Sequence, residues 1–198
     1  GRNSRASVIG SDQDTDLAVL RIELEAVTPI GLGNPDQLQV GDVVLAIGNP
    51  YGFGNSVSQG IVSALGRYGL NLSTYEDYIQ TDAAVNQGNS GGALIDTDGN
   101  LIGINTAIYS QTGASVGIGL AIPSDLALQV MRDLVAYGKV IRGWMGLEVQ
   151  PLLGVERRRS LQVIATAENG PAAKAGIRSG DVITHINMEA VVDGRSTM

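Results

Sequence analysis

Between residues 40 and 122, apolar β-formers recur in short runs at 43–47, 60–65, 78–82, 93–95, 101–106 and 119–122, with turn residues between them. Runs of this length and spacing predict six short strands, the pattern of an antiparallel barrel or sandwich. Ahead of them, 6–9 and 16–22 read as two further strands about a polar turn, followed by a Gly/Asn/Pro loop at 31–35. The period then changes. Over 125–137, Leu126, Val130 and Leu134 form one stripe, with Ala127, Met131 and Val135 beside it, after Pro123-Ser124 and before Gly138. That spacing predicts one amphipathic helix with start and stop signals.

A short basic link at 139–142 leads to a second β-rich stretch from Trp144. It predicts strands at 146–149, 161–165 and 180–187, with a single helical turn within 169–176 punctuated by Pro171 and Gly176. There is no internal repeat.

Composition sharpens this picture. The 198 residues are 43% hydrophobic and 17% charged, which suffices for one large domain or two small ones. The 27 glycines are about twice the usual ~7% share, and they are scattered as turns between short strands would require. A net charge of −7 argues against a nucleic-acid partner, and the one basic cluster, Arg157-Arg158-Arg159, has no aromatic residue among its arginines and reads as a solvated loop. With no cysteine there is no disulfide framework or thiolate metal site, and a single histidine argues against a His-rich metal centre. No metal or cofactor is expected. No apolar run reaches the ~18 residues of a membrane span, and Gly1 does not begin a signal peptide, so any targeting segment is expected outside this chain.

Ser90 stands out among candidate reactive residues. Gly88, Gly91 and Gly92 surround it, and Ala93-Leu94-Ile95 follows. Glycines on both sides permit positive φ and leave room for a carbonyl close to the main chain. In such a turn the N–H groups of Gly88 and Ser90, with Asn89 between them, can converge as an oxyanion hole.

The longer string Gln80-Thr81-Asp82-Ala83-Ala84-Val85-Asn86-Gln87-Gly88-Asn89-Ser90-Gly91-Gly92-Ala93-Leu94 closely resembles the active-site segment of the HtrA proteases (DegP, DegQ, DegS). The resemblance continues through Thr15-Asp16-Leu17-Ala18, Ala46-Ile47-Gly48-Asn49-Pro50, Gly60-Ile61-Val62-Ser63-Ala64-Leu65-Gly66-Arg67, Gly103-Ile104-Asn105-Thr106 and Gly117-Ile118-Gly119-Leu120-Ala121-Ile122-Pro123, and so covers nearly the whole chain. It implies a mostly β fold: a trypsin-like double β-barrel with its first barrel incomplete, then a truncated PDZ domain. The parts would be 1–38, the end of the first protease barrel; 39–138, the second barrel and its helix; and 139–198, a partial PDZ domain.

The resemblance implies that Ser90 is the nucleophile and Asp16 the triad acid that orients a histidine. In this family the histidine precedes the aspartate, and here that position falls before Gly1. His185, the one histidine, reads as an ordinary half-exposed strand residue. The 198-residue chain alone is therefore expected to be inert. Ala84, six residues before Ser90, would lie at the base of the specificity pocket and favour small or medium apolar side chains. Asn105, Thr106 and Ala107 would pair with the substrate backbone, and the loop 110–116 would flank the pocket. Asn89 stands where digestive proteases carry an aspartate, which argues against activation by propeptide cleavage.

Trp144-Met145-Gly146-Leu147 sits where PDZ domains place their carboxylate-binding loop. Arg67 stands where DegS-like members couple PDZ occupancy to the oxyanion loop. Relative to the family, the stretch 149–161 is several residues short. The residues Val140-Ile141-Arg142-Gly143-Trp144 and 71–78 most resemble the DegS/AlgW branch. Those enzymes are periplasmic homotrimers, some anchored by an N-terminal segment, that sense C-terminal peptides of outer-membrane proteins and cut an anti-sigma factor. The alternatives are a DegP/DegQ-type quality-control protease and chaperone acting on unfolded envelope proteins, and a non-catalytic peptide-binding module.

Overall fold

The computed structural model of the chain describes residues 4–52, 54–108, 116–153 and 159–191. Two compact units emerge, Gly1–Val140 and Ile141–Met198. In the first unit, β1 (Ala6–Asp12) and β2 (Leu17–Ile22) form an antiparallel hairpin. Six strands follow: β3 (Val43–Gly48), β4 (Ser56–Arg67), β5 (Tyr78–Thr81), β6 (Ala93–Ile95), β7 (Leu101–Ile108) and β8 (Gly119–Pro123). They close an antiparallel barrel in the order β3-β4-β5-β8-β7-β6, with β6 returning to β3. Each of the six runs read from the apolar pattern is represented in one of these strands.

Alternation places the core. Val44 and Ala46 of β3 point inward and pack with Val62, Ile79, Leu94, Ile102 and Ala121. Full burial of side chains such as Ile79, Leu94 and Ile102 contributes roughly 1.5–3 kcal/mol each. β8 is buried along its whole length because both of its faces are covered. Ala121 joins the barrel interior, while Leu120 and Ile122 join Tyr78 in an outer cluster against Leu17 and Leu126.

Leu126 belongs to α1 (Ser124–Tyr137), the one long helix among the described residues, which packs on β1, β2, β7 and β8. Its buried stripe is Val130 and Leu134, as the 3.6-residue period requires. It stops at Gly138, whose φ of 70° is left-handed and whose N–H donates to Leu134 O at 3.0 Å. Leu134 also fixes the hairpin: a Cβ on Gly10 would lie 3.1 Å from Leu134 Cδ2, so β1 approaches the helix at a glycine.

Asp16 departs from the expected strand 16–22. It ends the preceding turn with φ 59°, and β2 starts at Leu17. The turn is closed by Asp12, whose buried carboxylate accepts from Thr15 N (3.1 Å) and Thr15 Oγ1 (2.6 Å) and so ties the chain back before β2 can begin.

The second unit contains β9 (Leu147–Leu153), β10 (Arg159–Thr166), a one-turn α2 (Pro171–Lys174), β11 (Val182–Ile183), β12 (His185–Ile186) and β13 (Glu189–Ala190). β10 is central to the sheet β11-β10-β9, while β12 and β13 form a separate hairpin. The single strand expected over 180–187 is therefore two. Thr184 breaks it, and its carbonyl accepts from Val191 N at 2.9 Å as the chain passes from one sheet to the other. Leu161, Val163, Ala172 and Val191 form the buried apolar positions of this unit. Among the described residues no helix is long and apolar enough to cross a membrane, and no group of acidic and histidine side chains could hold a metal ion.

Candidate active site

Ser90 sits on the turn between β5 and β6, and glycines shape that turn. Gly88 (φ 101°) and Gly91 (φ 81°) occupy backbone regions that a side chain disfavours. Gly92 has no room for one: a Cβ there would lie 2.0 Å from Ile47 O and 2.9 Å from Asn89 O. The turn thus rests directly on the end of β3. Gly88 O accepts from Asn49 N at 3.3 Å, and Asn89 N donates to Asn86 O at 2.9 Å. Both ends of the Gly88–Asn89 peptide are engaged, while the N–H groups of Gly88 and Ser90 stay out of these bonds.

Three asparagine and threonine side chains complete the surroundings. Asn89 is 2% exposed; its Nδ2 donates to Ala84 O at 3.3 Å, and it presses on Gly48, where a Cβ would come 2.4 Å from Asn89 Oδ1. Asn105 is 0% exposed and its Nδ2 donates to both Ile47 O and Ala93 O at 3.1 Å. Asn89 Oδ1 and Asn105 Oδ1 are buried without a hydrogen-bond partner among the described residues, an arrangement that costs about 1–3 kcal/mol per group. Thr106 joins the two reactive candidates. Ser90 Oγ donates to Thr106 O at 2.9 Å, and Thr106 Oγ1 donates to Asp16 Oδ2 at 3.3 Å. Asp16 and Ser90 also line one open cavity of about 580 Å³, together with residues of β2, β7 and α1.

The other expected residues fall as follows. Ala84 is exposed, and its carbonyl is held by Ser58 Oγ at 2.8 Å as well as by Asn89. Asn105 bonds through its main chain to the serine turn: its N–H donates to Gly92 O (2.9 Å) and its carbonyl accepts from Gly91 N (2.8 Å). Ala107 is half-buried opposite Leu120. Arg67 ends β4 exposed, its Nε donating to Gln80 Oε1 at 2.7 Å. Residues 110–115 of the pocket-flanking loop lie outside the described residues, as do Arg157 and Arg158, while Arg159 begins β10. In the second unit Trp144 and Met145 are exposed, Leu147 is half-buried and Gly146 is buried with φ 69°, the Trp144 ring lying over it. Met145 O accepts from Ala172 N and Gly146 O from Ala167 N. His185 is exposed on β12, its Nδ1 3.1 Å from Thr184 Oγ1.

One feature beside the site escaped sequence reasoning. Glu76 is 5% exposed, and its carboxylate accepts from Leu70 N and Leu72 N at 2.6 Å and from Ser73 N at 3.3 Å. Burial pushes its carboxyl up, but the backbone N–H groups of Leu72, Leu70, Ser73 and Gly69 outweigh that and hold it below the ordinary carboxylate range. Burial raises the neighbouring Tyr78 phenol; its bond to Ser73 Oγ (2.7 Å) opposes the rise, and the charges of Glu76 and Asp16 add to it. The loop this carboxylate organises donates Tyr75 N to Asp14 O at 3.0 Å and so touches the turn that carries Asp16. An acidic residue within a Gly/Asn/Ser-rich stretch was the available signal.

A six-stranded antiparallel barrel with a glycine-bounded serine facing an aspartate defines a class, and the family comparison agrees. A trypsin-like peptidase domain model matches residues 1–104, and a PDZ domain model matches 162–197. The chain belongs to the HtrA family of serine proteases. It is 48% identical to a probable periplasmic serine endoprotease, DegP-like, of Brucella suis over 98% of this chain and 40% of that protein. It is 47% identical to the periplasmic serine endoprotease DegP of Escherichia coli K12 over 94% of this chain and 41% of that protein. It thus spans about two fifths of the length of these relatives. The HtrA-type protease AlgW, solved with a tripeptide, superposes with a TM-score of 0.86 at 52% identity, covering 98% of this chain and 66% of the AlgW chain.

Proposed function

We propose that the intact protein is a serine endopeptidase with Ser90 as nucleophile and Asp16 as the acid of its triad. The observation that carries this reading is their meeting at Thr106: residues distant in sequence face one cavity and bond to the same threonine. The N–H groups of Gly88 and Ser90, flanking Asn89, form the oxyanion hole. Ala84 floors a specificity pocket for small or medium apolar side chains, and Thr106 and Ala107 guide the substrate backbone. Unit one contains no histidine, and His185, the one histidine of the chain, is an ordinary strand residue of the other unit, so the general base is an imidazole supplied by neither and the 198-residue chain alone is inert. Casein cleavage by that chain, abolished by Ser90→Ala, would overturn the last statement. In the intact protein with C-terminal peptides added, a fluorophosphonate probe should label Ser90, and Ser90→Ala should cost at least about 10⁴-fold in kcat/KM; a protein that takes no label under those conditions is not a serine protease.

The finer reading is a periplasmic, homotrimeric sensor of the DegS/AlgW kind. It has three domain parts, bounded at 38 and 138, and an N-terminal anchor. Trp144, Met145, Gly146 and Leu147 receive the C-terminus of an outer-membrane-protein peptide. Arg67 relays occupancy to the oxyanion loop, and an anti-sigma factor is cut. Support comes from the 52% identity to AlgW, itself solved with peptides. The DegP-like relatives at 47–48% favour a second reading, quality control of unfolded envelope proteins. Adding C-terminal peptides separates the two: strong stimulation that Arg67→Ala abolishes supports the sensor, and peptide-independent cleavage of unfolded protein supports the alternative.

A further inference from the structure

We propose that Asn105 is a positioning residue for the nucleophile, acting through the turn and through Thr106; the proposal rests on the serine-protease reading above. Three of its groups, and its neighbour Thr106, fix the relevant pieces. Its N–H and carbonyl bond to Gly92 and Gly91, the two residues after Ser90. Its side-chain amide spans the barrel seam and donates to Ile47 O at the end of β3 and to Ala93 O at the start of β6. Its C-terminal neighbour Thr106 receives the Ser90 hydroxyl and reaches Asp16. One residue therefore sets how far the turn stands from β3 and where the serine lies relative to the acid.

The floor beneath the turn is equally specific. Ile47, Gly48 and Asn49 contribute, in order, an acceptor for Asn105, a bare Cα against Asn89 and an N–H to Gly88 O. This gives a role to the Ile47-Gly48-Asn49 motif, which carries no reactive group of its own. Packing alone does not account for the amide at position 105. It is fully buried, both donors are used, and its oxygen has no partner among the described residues. An apolar side chain would fill the space without an orphaned acceptor, so the residue is retained for its two donors.

Removing those donors takes the side-chain bonds away from Ile47 O and Ala93 O beneath the turn and releases Ser90 from its register with Thr106. Ala84 O is held by Ser58 Oγ and Asn89 Nδ2, not by Asn105, so the floor of the specificity pocket is left in place. In the intact enzyme, Asn105→Ala should lower both the rate of fluorophosphonate labelling at Ser90 and kcat by about 10- to 100-fold, with KM within about twofold. Thermal melting identifies the temperatures at which the variant is folded. Asn105→Ser, which keeps one donor, should recover part of the loss, and it carries the test if the alanine variant does not fold. A folded variant with a lowered melting point but unchanged labelling and kcat would overturn the proposal. If unaltered enzyme takes no label even with C-terminal peptides added, the serine-protease reading falls and the proposal with it.

Discussion

Ser90 and Asp16 stand on unequal supports. Ser90 rides on a closed barrel in which every strand has two neighbours, and its turn is wedged against β3, bonded to β7 and lined by glycines cleared for close approach. Asp16 ends the turn of a two-stranded hairpin that packs on α1 within this chain. Among the described residues its hydrogen bond to the barrel side is the 3.3 Å one from Thr106, at the long end of useful hydrogen-bond distances. Electrostatic preorganisation requires fixed groups. The nucleophile side has them in the barrel itself, whereas within this chain the acid side rests on α1 and on the loop organised by Glu76.

If that contrast is sound, the largest effect should come from disturbing the wedge. Gly92→Ala sets a methyl 2.0 Å from Ile47 O and 2.9 Å from Asn89 O, both main-chain atoms with no side-chain freedom to yield. The expected loss is about 3 kcal/mol or more, the upper end of overpacking costs, read as a fall in the urea midpoint at unchanged slope. A variant within about 0.5 kcal/mol of the parent would mean that the turn can lift off β3, and the contrast would collapse.

The acid side is probed through Glu76. Its folded carboxyl is held below the ordinary range, so its contribution is fully present above the unfolded value of about 4.3. It is lost as pH falls through the depressed folded value. Glu76→Gln should destabilise the first unit by about 1–3 kcal/mol at neutral pH, with parent and variant converging as pH falls below the ordinary carboxylate range. It should also reduce activity of the intact enzyme, because the loop's Tyr75 N–H holds Asp14 beside the acid. A stability gap that persists unchanged at low pH would mean that shape, not charge, organises the loop.

Residues that alternate or repeat were legible before the structure. The six barrel strands and α1 follow from apolar period, and the Ser90 turn from its glycines. What was missed depends on tertiary partners. Asp16 reads as the first residue of a strand because its neighbours are Leu17, Ala18 and Val19, yet the Asp12 carboxylate closes the turn around it. Asn105 looks like a surface residue of a strand end, and nothing local shows that Ile47 O and Ala93 O await its amide. The stretch 180–187 alternates as one strand would, but Thr184 turns it between two sheets. The buried Glu76 was readable only as a charge in a polar loop.

The smallest effect should appear in the other open ribbon, β12–β13. Its turn passes through Asn187 (φ 49°) and Met188 (φ 69°), both left-handed and neither a glycine, as Asp16 is in the first unit's hairpin. A two-residue turn of this hand favours Asn-Gly, because a Cβ at the second position costs about 1–2 kcal/mol. Met188 is 94% exposed, so its side chain contributes little packing in return. Met188→Gly relieves the strain and gives back part of the gain through the freer unfolded chain. The net stabilisation should be about 0.5–1 kcal/mol, measured as a raised denaturation midpoint of the second unit with Ser90 labelling unchanged. A neutral or destabilising result would show that the Met188 side chain has a partner in the intact protein, and that this ribbon is better supported than the hairpin carrying Asp16.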